Sequence, residues 1–99
     1  MANKQKLLSF LDQQVFDPIL KASPDRYRGA DRKKLKDVQD RTRSEKDRFH
    51  HYGSAREIVE NYKSDLSSST GKRVNKELEK LKLPTLPSVE GEFMKAAGK

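Results

Sequence analysis

The sequence predicts a small all-α protein, and three features carry that prediction. Apolar residues recur at three- and four-residue spacing in separate segments, the mark of helices with one buried face. Ser54-Ala55-Arg56-Glu57, directly after Gly53 and ahead of an apolar run, has the form of a capping box. No run alternates apolar and polar residues for long enough to form a strand. The expected architecture is a small bundle of four main helices, with room for a short fifth at the C-terminus and a long charged second helix. With 99 residues the chain reads as one domain, 1–99. Fraying is expected at about 1–3 and 95–99.

The first helix is expected to begin at Asn3 as N-cap, with Leu7, Leu8, Leu11, Val15 and Ile19 on one face and Phe10 and Phe16 widening it. Pro18 interrupts this pattern, because its ring presses on the carbonyl of Gln14 and it has no N–H to donate there. The helix can kink near Gln14, or stop at Phe16 with Asp17 capping a short piece that starts at Pro18. Ile19 and Leu20 prolong the same apolar face and favour the kink. Residues 22–29 form a loop by composition, and Tyr27 is expected to pin it to the core.

The second helix spans Asp31 to Tyr52, with Asp31 as N-cap and Gly53 ending it. Leu35, Val38, Phe49 and Tyr52 fall at heptad-like spacing, and Thr42 and Glu45 occupy the seam positions between them. From Asp31 to Arg48 there are eight Lys or Arg and five Asp or Glu, so the helix buries little except along that seam. Gln39 to Asp47 is expected to project from the core or open transiently. The third helix presents Ala55, Ile58, Val59, Tyr62 and Leu66. Ser67 to Gly71 then forms a connection, with Ser69 or Thr70 as the next N-cap. Val74, Leu78 and Leu81 mark the buried face of the fourth helix. Leu83 to Pro87 is extended, and Ser88 is expected to cap a last short helix with Val89, Phe93 and Met94. Helices one, three and four are expected to make the core, with the second laid across it or extending from it.

Composition limits function more than it specifies it. Leu, Ile, Val and Phe total 21 residues and mean hydropathy is −1.03, so the core is modest. The absence of cysteine excludes disulfides, thiolate zinc sites and a Cys nucleophile, and fits a cytoplasmic protein. No segment reads as a signal peptide, and none supplies the ~20 apolar residues of a membrane span. Net charge is +7, concentrated in residues 23–52 at +4 and residues 67–82 at +3.

Candidate chemistry is sparse. His50 and His51 are adjacent, so on a helix they diverge by about 100°. They are expected to be surface or helix-end residues rather than metal ligands. The acids sit among Lys and Arg at helix-pair spacing, which predicts solvated groups with ordinary acidity. Thr70-Gly71-Lys72-Arg73 has the look of a phosphate loop but lacks the upstream glycine and strand. Catalytic residues, metal sites and cofactors are therefore not expected.

Two surfaces remain. The seam Leu35, Val38, Phe49 and Tyr52 could meet another helix, of the same chain or another copy. Arg32, Lys33, Lys34 and Lys36 crowd the start of the second helix. Lys72, Arg73, Lys76 and Lys80 decorate the fourth, three of them in a row at helical spacing. The sequence favours a non-enzymatic accessory or regulatory module with a protein partner, as a monomer or weak homodimer. The alternative is a nucleic-acid binder that uses the eight basic residues, and an enzyme is a distant third.

Overall fold

The computed structural model describes residues 4–98 and is all-α, with no strand among those residues. Asn3, the expected first N-cap, lies outside the described residues, as do the other ends at 1–2 and 99. Helix α1 (Lys4–Leu11) and helix α2 (Asp17–Leu20) form one continuous rod through a π-helical turn at Asp12–Phe16. In that turn the Asp17 N–H donates to the Asp12 carbonyl, one residue further back than in an α-helix. The extra residue moves Pro18 into the first turn of α2, where its missing N–H costs nothing. The rod therefore passes Pro18 instead of stopping at Phe16, and it keeps Leu7, Leu8, Leu11, Val15, Phe16 and Ile19 buried.

Ser23 caps a 3₁₀ turn at Pro24–Arg26, and Tyr27 then pins the loop by donating its hydroxyl to the Leu81 carbonyl at 2.7 Å. Helix α3 (Ala30–His51) starts from Gly29 at φ +59°, a backbone open to glycine, so Asp31 sits in the first turn instead of at the N-cap. The polar middle of α3 does not project. Gln39 is buried and donates its amide to the carbonyls of Ile19 at 3.1 Å and Ala22 at 2.9 Å, satisfying acceptors at the end of the rod. Thr42 is buried too, and its hydroxyl donates to the Val38 carbonyl at 2.8 Å.

The capping box opens helix α4 (Ala55–Ser67). The Glu57 N–H donates to Ser54 Oγ at 3.3 Å, and Glu57 Oε2 accepts from the Gly53 N–H at 2.7 Å. Helix α5 (Ser69–Lys80) follows after a single residue, Ser68, which ends one helix and caps the next by accepting from the Gly71 N–H at 3.0 Å. The expected five-residue connection, with its cap at Ser69 or Thr70, is thus a tight elbow. Gly71 permits it: a Cβ there would lie 1.9 Å from the Asp65 carbonyl oxygen.

Helix α5 closes in a Schellman arrangement. Lys82 takes φ 59°, its N–H donates to the Glu79 carbonyl at 3.1 Å, and the Leu83 N–H reaches the Leu78 carbonyl at 2.9 Å. Thr85 and Ser88 then bond each other's backbone N–H groups, both at 3.2 Å, across the 3₁₀ turn Pro87–Val89. Leu86 starts that turn, and Ser88, expected as a cap, lies inside it. The last helix is α6 (Glu90–Ala96), and Ala97 behind it is buried.

The core differs from expectation in its contributors. Leu35, Val38 and Phe49 of α3 and Phe93 of α6 are fully buried, while α5 supplies Leu78. Phe93 stacks on Tyr62 at 4.1 Å between ring centroids, and Phe16 on Phe49 at 5.7 Å. The Tyr62 hydroxyl donates to the Leu86 carbonyl, and burial together with Glu90 pushes its phenol up. None of the helices is long and apolar enough to cross a membrane, among the described residues.

Candidate nucleic-acid interface

Helices α3 and α5 pack together and run antiparallel. At one end Arg48 bonds Asp65 at 2.6 Å, just before the elbow that starts α5. Midway, Arg41 and Thr42 border Val74, Asn75 and Leu78. At the other end Tyr27, two residues ahead of the α3 cap, bonds Leu81. This topology sets the start of α3 beside the end of α5.

The eight basic residues singled out in the sequence separate accordingly. Arg32, Lys33, Lys34 and Lys36 share that end with Lys80. Lys76 lies along α5, and Lys72 and Arg73 sit at its far end, roughly 10 Å further along the axis. All eight are exposed except Lys34, which is half-buried. Arg32 approaches Asp25 at 3.9 Å, and the other seven make no ion pair among the described residues.

The fold also recruits cations that spacing arguments missed. Lys21, Arg26, Arg28 and Lys82 come from the two loops that meet at this end, and all four are exposed. Loop residues have no periodicity to mark them, and their only signal is charge count. Residues 21–37 hold seven Lys or Arg against three Asp, and residues 72–82 hold five against two Glu. These two stretches account for the whole net charge of +7, and the remainder of the chain is balanced.

The seam meets a partner within its own chain: Leu35, Val38 and Phe49 are fully buried and Tyr52 is half-buried against the core. The histidines diverge. His50 Nε2 lies 2.9 Å from Asp12 Oδ2 on the rod, and His51 Nε2 lies 3.5 Å from Asp47 Oδ1. No group of three or more potential metal ligands converges among the described residues.

Two acids depart from the expected ordinary acidity. Burial raises the pKa of Glu45, with Asp65 adding to the rise and Arg48 and Arg41 opposing it. Burial raises that of Asp65 as well, despite its bond to Arg48. Both line a cleft of about 300 Å³ with Arg41, Arg48, Ser68 and Thr70 at the α4–α5 elbow. Sequence spacing put Glu45 in a polar position of the seam, and the elbow folds over it. Ser68 Oγ is already engaged by the Gly71 N–H and the Asp65 carbonyl, and Asp65 by Arg48. The cleft is therefore an internally bonded joint. Comparison with known proteins finds no matching family model, no matching curated protein and no matching solved structure.

Proposed function

We propose that the protein is a non-enzymatic binding module whose basic end engages the phosphate backbone of nucleic acid. One observation carries this reading: the entire net charge lies in two stretches that the antiparallel α3–α5 pairing places side by side. Acids elsewhere are matched by bases, so the positive excess lies beside the start of α3 and along α5, with Lys72 and Arg73 about 10 Å from the shared end. The reading displaces the expectation of a protein partner on the seam, since those side chains already fill the chain's own core.

Titration of labelled duplex and single-stranded DNA at two salt concentrations tests it. The expected result is non-specific binding with a Kd of about 10⁻⁴–10⁻⁶ M that weakens steeply as salt rises. Replacing Lys33, Lys34, Lys36 and Lys80 with Ala is expected to flatten the salt dependence, with helical content unchanged by circular dichroism. Absence of binding at low salt overturns the reading. So does binding that is insensitive to salt.

A further inference from the structure

We infer that the groove between the end of the α1–α2 rod and the end of α5 receives one nucleotide unit of a single-stranded nucleic acid. Lys21, Arg26 and Lys82 would hold its phosphate, and Pro18, Tyr27 and Leu83 would receive its base. This rests on the phosphate-binding reading above and adds a strand preference to it.

The groove has a volume of about 480 Å³ and all six residues line it. That size is within the range of small-ligand sites, roughly 300–1,000 Å³. Its charge is of one sign. Three cations line it with no carboxylate, and none of the three makes an ion pair among the described residues. The neighbouring clefts differ, since Glu60, Asp47, and Glu45 with Asp65 line the other three of comparable size. An anion entering here meets no repulsive partner.

Apart from Ser23 the rest of the lining is apolar, with a tyrosine ring, and this suits a base better than a bare phosphate. A duplex keeps its bases stacked inside, so it can offer such a groove only its backbone. A single strand can turn a base into it.

The second observation is Lys82 itself. Its backbone is held in the left-handed region at φ 59°, where glycine would sit without strain. A strained residue that places a cation in a one-signed groove fits a binding role. Lys21 and Arg26 come from the opposite wall, on the loop that Tyr27 fastens to Leu81.

Fluorescence anisotropy with a short labelled oligothymidylate and a duplex of equal length tests the inference on the full chain. The single strand is expected to bind about tenfold tighter, the gain of one base against an aromatic group. Combining Lys82→Gly with Lys21→Ala and Arg26→Ala is expected to remove that preference and reduce the salt slope for the single strand by about 0.7, one phosphate contact. Lys82→Gly relieves strain, so loss of fold does not explain the result, and thermal melting checks this. Arg73→Ala with Lys76→Ala is expected to weaken both polymers alike. Nuclear magnetic resonance titration with thymidine monophosphate is expected to shift the Tyr27 ring signals.

Equal affinity for the two polymers overturns the strand preference and leaves the phosphate-binding reading standing. So does a preference that survives the triple substitution, or unmoved Tyr27 signals. No binding of either polymer at low salt overturns both.

Discussion

Lys82 and Gln39 each resolve a local problem that the chain creates for itself. Helix α5 ends by turning its backbone left-handed, and the residue there is a lysine at φ 59°. For an L residue with a Cβ this costs about 1–2 kcal/mol. Lys82→Gly is expected to raise stability by about 1 kcal/mol, or Tm by about 4–8 °C for a domain of this size. Thermal melting by circular dichroism checks it. An unchanged or lower Tm would show that the lysine side chain contributes more than the strain costs. Stability and single-strand affinity are thus expected to move in opposite directions on one variant. Gln39 works the other way, as a buried polar residue whose amide N–H groups are bonded. Its amide covers carbonyls at 3.1 and 2.9 Å where the rod ends. Gln39→Leu keeps the bulk and strands those acceptors, so a loss of about 1–3 kcal/mol is expected in urea denaturation. A loss below a few tenths would mean that water replaces the amide.

The joint between α4 and α5 shows which parts of an element are written locally. Ser54 and Glu57 were legible because the capping signal lies within four residues: Ser54 accepts from the Glu57 N–H, and the Glu57 carboxylate reaches back to the Gly53 N–H, one residue ahead of the cap. Ser68 was not legible as a cap, because Ser67, Ser68, Ser69 and Thr70 are chemically near-equivalent there. What selects Ser68 is the approach of Gly71 to the Asp65 carbonyl, a contact made only after the elbow closes. The π turn ahead of Pro18 was hidden for a related reason. Proline announces a conflict, but burial of Ile19 beyond it decides that the rod continues. Gly71→Ala gains helix propensity of about 1 kcal/mol yet forces a backbone clash, and a net loss of about 1–3 kcal/mol is expected. Gly91 in α6 supplies the control, since a Cβ there meets nothing within 4 Å. Gly91→Ala is expected to stabilise by about 0.5–1 kcal/mol. Similar effects at both glycines would remove the close-approach argument.

At the scale of the whole molecule, composition revealed the charge but not its placement. Arg32 to Lys36 and Lys72 to Lys80 were visible as clusters. That Lys21, Arg26, Arg28 and Lys82 join them depends on two loops meeting, which no period in the sequence encodes. The seam was visible as well, and its destination, the chain's own core, required the full set of helices. The same closure partly buries Glu45 and Asp65 in one cleft and gives the molecule a pH-dependent stability. Burial raises both pKa values, and the attraction of Arg41 and Arg48 does not cancel it. The folded state therefore holds these protons more tightly than the unfolded chain does. Wherever the folded state binds more protons, stability falls as pH rises. The two acids thus stabilise the fold when protonated, and that contribution is lost as pH climbs through the raised values. Near neutral pH both are charged and costly, so Glu45→Gln, which keeps shape without charge, is expected to raise Tm there. As pH is lowered through the raised value the wild-type carboxyl takes up its own proton, and the advantage of the variant is expected to shrink. Paired thermal melts of wild type and Glu45→Gln across this range decide the matter. A variant less stable than wild type near neutral pH would mean that the arginines' attraction for Glu45 outweighs the cost of burying it.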